Sequence, residues 1–314
     1  MGCQWSMHGG LRPRNRRREI IGLVLEALPH RRARTARVAA VLVSVALLLV
    51  LTWGALYTVA GQNLDNLGME ALKERAALIP EGLDFLTNLV SLPALIVVAA
   101  GVAGVALWRR RPALGIRAVI IVAASNLMVQ IVKAALSRPE LNVSWSLQNS
   151  YPSGHTAFAA GVSAALVVVA PKAFRSAAAL FGTVWTGLMS LVVVAQGWHR
   201  PADTIASILI VAAWTFALAP VEEDRRRANR ATHLGLISAW VFFLSAFAVT
   251  LLAVLSVRGI LPYSQSYPDL VSLVGAPTIS GRLFAVSAMF LPWGVQALVM
   301  VGVDRLARPG KLGQ

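Results

Sequence analysis

Two of the five histidines lie in settings suited to chemistry. His155 falls in Tyr151-Pro152-Ser153-Gly154-His155-Thr156 and His199 in Trp198-His199-Arg200-Pro201-Ala202-Asp203. In the first segment Pro152 disfavours helix before it, Ser153 can cap a helix, and Gly154 lets the backbone approach a ligand closely. The helix N-terminus opened there presents unpaired N–H groups and a partial positive charge, which suits a phosphate, and His155 projects from its first turn. An ordinary capped helix with an interfacial histidine is the competing reading. In the second segment the i, i+4 spacing places the Asp203 carboxylate beside the His199 ring if the turn is helix-like, with Pro201 early in a helix that starts near Arg200. Such a carboxylate holds one ring nitrogen as a donor and raises the basicity of the other, the activation a nucleophilic imidazole needs. A plain interfacial hydrogen bond is again the alternative. Lys133 and Arg138 add cationic donors, and an arginine can grip a phosphoryl group through two hydrogen bonds. Taken singly, each could simply snorkel from a helix end to the lipid headgroups.

What must position these residues is a set of apolar helices. Of 314 residues 57% are hydrophobic and 14% charged, with a mean hydropathy of +0.66, which lies outside the ordinary soluble range. Stretches able to cross a bilayer, about 20 residues each, are read at roughly 38–60, 85–108, 113–136, 157–170, 177–197, 203–218, 234–256 and 283–303. The fourth and sixth are short, so their ends run into the flanking polar motifs. The expectation is an all-α polytopic bundle of eight spans with both termini on one side. It divides into a basic tail (1–37), a six-span core (38–220) and a last segment (221–314) with two further spans.

Charge placement sets the orientation. With the N-terminus cytoplasmic, the inner segments hold 22 of the 29 Lys and Arg, and the 14 acidic residues divide into 6 inside and 8 outside. That asymmetry follows the positive-inside rule. A net charge of +15 raises the question of nucleic acid, but the runs Arg16–Arg18, Arg31–Arg37, Arg109–Arg111 and Arg225–Arg227 have no interleaved aromatic residues to stack on bases. They read as anchors beside anionic lipid. His8, His30 and His233 then fall inside, leaving His155 and His199 as the two outer histidines, both at span boundaries. Lys133, Arg138, Ser153, Gly154, Arg200 and Asp203 gather at the same level, where ionisable groups are costly and mark function. Residues 20–28 read as a short amphipathic helix at the inner interface. The first outer loop, 61–84, has a helical spacing of Leu67, Met69, Leu72, Ala76 and Leu78, and either covers a site or rests on headgroups. The last outer loop, 258–282, reads as irregular.

In motif and order these residues resemble the type 2 phosphatidic acid phosphatase (PAP2) superfamily. The resemblance rests on Lys133…Arg138-Pro139, Pro152-Ser153-Gly154-His155 and His199…Asp203, and covers a six-span core from about Val38 to Pro220. It implies that His199 is the nucleophile that takes the phosphoryl group, that Asp203 orients it, and that His155 protonates the leaving oxygen. Lys133, Arg138 and the backbone N–H groups around Ser153 and Gly154 would hold the phosphate oxygens. No metal or other cofactor is implied, and the expected partners are a lipid phosphate and the membrane lipids. The Ala/Arg/Val-rich composition points to a bacterial plasma membrane, and the charge placement to a site on its outer face. Two departures stand out. The usual first motif leaves six residues between Lys and Arg-Pro, whereas Lys133 and Arg138 are separated by four. The third motif carries Arg six residues before its histidine, where this chain has Val193. Arg200 is a candidate substitute for that cation.

Two function classes follow. One is a membrane lipid phosphatase, or a phosphotransferase variant of it, acting on an isoprenyl or glycerolipid phosphate or diphosphate through a phosphohistidine. The other is a lipid-phosphate-binding or transport protein that keeps the pocket without turnover, a reading supported by Val193.

Overall fold

A computed structural model describes residues 13–89, 92–108, 110, 112–141, 143, 149–171, 173–219, 230–259, 267–275 and 278–306. Arg109, Arg111, Arg225–Arg227 and the two chain ends lie outside these. Among the described residues there is no strand. The helices are α1 (Pro13–Tyr57), α2 (Val59–Ala76), α3 (Pro80–Leu89), α4 (Leu92–Trp108), α5 (Pro112–Ala135) and α6 (Gly154–Val169). They continue with α7 (Arg175–Ala195), α8 (Pro201–Leu218), α9 (Arg230–Val257), α10 (Tyr267–Val274) and α11 (Ile279–Leu306).

Six of them are long and apolar enough to cross a membrane: 34–57 within α1, then α5, α7, α8, 234–257 within α9, and 279–305 within α11. The chain is an all-α integral membrane protein. Two of the eight expected spans are shorter than a full crossing, α4 with 17 residues and α6 with 16. At 1.5 Å per residue α6 is about 24 Å long, against a hydrocarbon thickness of roughly 30 Å. It need not reach both surfaces, because it sits in the middle of the bundle against α5, α7 and α8. Its Ala157, Ala159, Ala160, Gly161, Ala164 and Ala165 let those neighbours approach closely, the way helices associate where lipid offers no hydrophobic drive. Polar side chains cross the same core: Ser163 Oγ lies 3.1 Å from Thr186 Oγ1, which accepts from Gln296 Nε2 at 3.2 Å. Large apolar side chains such as Leu42, Val50, Trp53, Val119, Trp240 and Leu251 stay exposed on the outside of the bundle, as lipid-facing residues do.

Three expectations are corrected. Residues 20–28 do not form a separate helix, because α1 runs unbroken from Pro13. Residues 258–282 are not simply irregular, since Pro268 stands in the first turn of α10, where a missing N–H costs nothing. The third concerns the loop at 61–84. Of its two readings, resting on headgroups fails: α2 packs inward on α1, α7, α8, α10 and α11, with Gln62, Asn63, Asp65, Asn66, Leu67, Ala71 and Leu72 buried. Leu67, Ala71 and Leu72 join Val192, Val193 and Val194 of α7 in one apolar cluster, which turns the polar face of α2 onto the loops at that end of the bundle.

Candidate active site

Two turns bring the histidines together. The α7 helix ends with Gly197 at φ +70°, the left-handed position that favours glycine, while the Trp198 and His199 N–H groups both return to the Val193 carbonyl at 3.0 Å. This closure throws His199 back over the end of the bundle. Arg200 then caps α8 with Pro201 in its first turn, and Asp203 three residues on accepts the Arg200 N–H through Oδ2 at 3.0 Å. A carboxylate in a helix's first turn is favoured by the macrodipole. Here it is also within 3.2 Å of His199 Nδ1, so the i, i+4 pair has the geometry its spacing predicts.

On the other side Ser153 caps α6, its Oγ accepting the Thr156 N–H at 3.3 Å. The two helix starts are tied to each other: Ser153 N–H donates to the Asp203 carbonyl at 3.1 Å, and Ser207 Oγ donates to the Ser153 carbonyl at 2.7 Å and to the Asp203 carbonyl at 2.9 Å. The outcome is that the His155 and His199 rings stand 6.4 Å apart, centroid to centroid, at an interplanar angle of 67°. Trp198 lies 5.9 Å from His155 and flanks the pair. His199 is 8% exposed and Asp203 fully buried, whereas His155 is open to the outside. One imidazole is thus held against a carboxylate and the other is free to meet what enters.

The cations divide into two groups. Lys133, in the last turn of α5, is half-buried and, like His199, an electrostatic neighbour of His155. Arg138 goes inward: its Nη2 lies 3.8 Å from Asp203 Oδ1 and 3.6 Å from Asp65 Oδ2, with its side chain fully enclosed. Its Nε and Nη1 have no hydrogen-bond partner among the described residues. Burial, followed by the charge of Arg200, holds Arg138 below the usual guanidinium range. Arg200 also turns into the fold, donating from Nε to Asn66 Oδ1 and from Nη1 to Ser150 Oγ at 3.3 Å. Ser153 spends both its N–H and its Oγ on the turn. The N–H groups of Gly154 and His155 are the ones at this helix start without an acceptor among the described residues. A Cβ on Gly154 would lie 3.7 Å from Gln130 Nε2 and meet nothing closer, so the backbone at 154 stays open to approach.

Several site residues escaped the sequence reading. Ser150 Oγ donates to Asp203 Oδ2 at 2.6 Å, and Asn149 Nδ2 ties the same loop to the Leu136 carbonyl at 2.6 Å. Asp65 Oδ1 accepts the Ala202 N–H at 2.8 Å. Burial first, and then the nearby Asp203 carboxylate, push the Asp65 carboxyl up to about 7, against the pull of Arg138. The available signal was the density of short polar residues in Gln62-Asn63-Leu64-Asp65-Asn66, unusual for a segment that ought to rest on lipid.

Residues 85–227 match a family model described as PAP2 superfamily. That segment of the chain is a PAP2 superfamily domain. The PAP2 segment contains Lys133, Arg138, Ser153, Gly154, His155, His199, Arg200 and Asp203, and it excludes α2 with Asp65 and Asn66. Members of the superfamily are generally phosphatases. No curated protein and no solved structure matches the chain.

Proposed function

We propose that the protein removes phosphate from a lipid phosphomonoester or diphosphate through a phosphohistidine on His199. The observation that carries this reading is the pair of imidazoles 6.4 Å apart, one of them backed by a buried carboxylate at 3.2 Å. With Asp203 on Nδ1, the lone pair of His199 Nε2 attacks phosphorus while the bond to the leaving oxygen breaks. His155 gives that oxygen its proton. His155, now basic, takes a proton from water as the water oxygen displaces His199, which releases inorganic phosphate and returns both rings to their starting state. Phosphoryl transfer spreads charge over three equatorial oxygens, so fixed donors supply much of the rate. Lys133 and the Gly154 and His155 N–H groups are the donors best placed for this. Ser153, Arg200 and Asp203 act by holding the turns.

The charge asymmetry of the loops supports a site on the outer face of a plasma membrane, with the termini cytoplasmic. An isoprenyl or glycerolipid phosphate is the substrate class this reading favours, and the place of the site at one end of an apolar helical bundle supports it. The test is phosphate release by purified protein from a panel of phosphatidate, phosphatidylglycerol phosphate and isoprenyl diphosphate in mixed micelles. Release lost in both His199→Ala and His155→Ala supports the reading, and a wild type inert across the panel refutes it. A second reading, lipid-phosphate binding or transport without turnover, draws on buried Val193 and on the inward turn of Arg138 and Arg200. It expects retained lipid-phosphate binding with no release. A phosphotransferase would instead pass the phosphoryl group to an added alcohol acceptor, giving a new phosphate ester and no inorganic phosphate.

A further inference from the structure

The α2 helix, outside the PAP2 segment, clamps both loops that build the site. Gln62 Nε2 donates to the Leu56 carbonyl at 2.7 Å and the Pro139 carbonyl at 3.0 Å, and Asn66 Nδ2 donates to the Val143 carbonyl at 3.0 Å. Asp65 is the charged member of the set. Its Oδ1 takes the Ala202 N–H, and its Oδ2 lies 3.6 Å from an Arg138 Nη2 that is 3.8 Å from Asp203 Oδ1. Arg138 is therefore shared almost evenly between two carboxylates and closes a hydrogen bond with neither. Asp203 meanwhile keeps its Oδ2 for Ser150 Oγ at 2.6 Å, Arg200 N–H at 3.0 Å and His199 Nδ1 at 3.2 Å.

Consider the same cluster with one carboxylate neutral. The attraction between unit charges a few ångströms apart in a poorly solvated site is strong, so an arginine released by Asp65 closes on Asp203. The carboxylate then swings toward Oδ1, and the contact given up first is the longest of the three on Oδ2, the one to His199. We propose that Asp65 is a positioning residue for the His199 imidazole: it takes up part of the Arg138 charge and so leaves Asp203 to hold the ring in its Nδ1–H tautomer, with Nε2 bare.

The proposal rests on reading His199 as the nucleophile, and its test has one arm that needs no turnover. Protein labelled with 15N-histidine in micelles at pH 8.5, where Asp65 is ionised, gives ring signals assigned to His199 by their loss in His199→Gln. Wild type is expected to show one protonated and one bare ring nitrogen. In Asp65→Asn, which keeps an oxygen for the Ala202 N–H, the two signals should move toward the average of both tautomers. In the double variant Asp65→Asn/Arg138→Gln nothing pulls Asp203 away, so the fixed tautomer should return. This variant is neutral at both positions and decides the matter if Asp65→Asn alone does not fold. The second arm is hydrolysis of short-chain phosphatidate. In Asp65→Asn kcat should fall about 10- to 100-fold, the penalty of a misplaced reacting group, with KM within about twofold. Wild-type ring signals in Asp65→Asn, or averaged signals in the double variant, overturn the positioning role. A wild type inert on lipid phosphates but showing the ring response sinks the phosphatase reading and leaves the positioning role standing.

Discussion

The Asp65 carboxyl makes folding stability depend on pH with a definite sign. Its value rises from 3.8 to about 7, chiefly through burial and then through the Asp203 charge, although Arg138 and the Ala202 N–H pull the other way. A carboxyl raised in the folded state binds its proton more tightly folded than unfolded. Its stabilising contribution is complete below the unfolded value near pH 4 and is lost as pH rises through about 7. The difference between 3.8 and about 7 is worth ~4 kcal/mol in all, most of which disappears between pH 5 and pH 8. Asp65 is 7% exposed, so solvent screens little of this. Thermal unfolding in detergent, followed by near-UV circular dichroism, should show wild-type Tm falling relative to Asp65→Asn by roughly 5 °C over that range. Equal pH slopes in the two proteins refute the assignment, because the variant has no titrating group at position 65. The loss has a counterpart in function: the ionised form least favourable to stability is the one that shares Arg138 with Asp203.

Other substitutions probe other parts of the account. Asp203→Asn places an amide where Oδ2 receives three donors and Oδ1 faces Arg138, so phosphate release should drop by about three to four orders of magnitude, read as kcat on phosphatidate. Lys133→Gln removes the half-buried cation near His155 and should weaken binding of vanadate, a phosphate mimic, by about tenfold, read by calorimetry. Gly187→Ala sets a methyl group 2.4 Å from the Trp293 ring and forces α7 from α11, which should cost about 1–3 kcal/mol, seen as a lowered Tm with the active site intact.

Much of this architecture was legible because hydropathy and charge act locally. The apolar stretches marked the order of the long helices, although six rather than eight of the described ones reach membrane-crossing length, and Ser153, Gly154, Arg200 and Pro201 carried the cap and turn chemistry that starts α6 and α8. The His199–Asp203 contact followed from i, i+4 spacing alone. The long-range pairings were not legible. Nothing local to Asp65 says that its partners are Arg138 and the Ala202 N–H, 73 and 137 residues away, because those contacts exist only once α2 folds over the loops. For the same reason Arg138 and Arg200 read as phosphate-facing cations from sequence, whereas their nearest partners are Asp65, Asp203, Asn66 and Ser150. An arginine's reach lets its destination be decided by whichever acceptor the fold buries beside it. The shortness of α6 was visible, but not its reason, which is that neighbouring helices rather than lipid surround it.

Rapid-quench labelling is the most direct trial of the central claim. Wild-type protein mixed with 32P-phosphatidate and quenched in base within milliseconds should carry label on the peptide containing His199. That label should be stable in alkali and lost in acid, as a phosphoramidate is, more abundant in His155→Ala if water attack is slowed, and absent in His199→Ala. Steady phosphate release with no protein-bound label at any quench time, or label that persists in His199→Ala, would contradict the account.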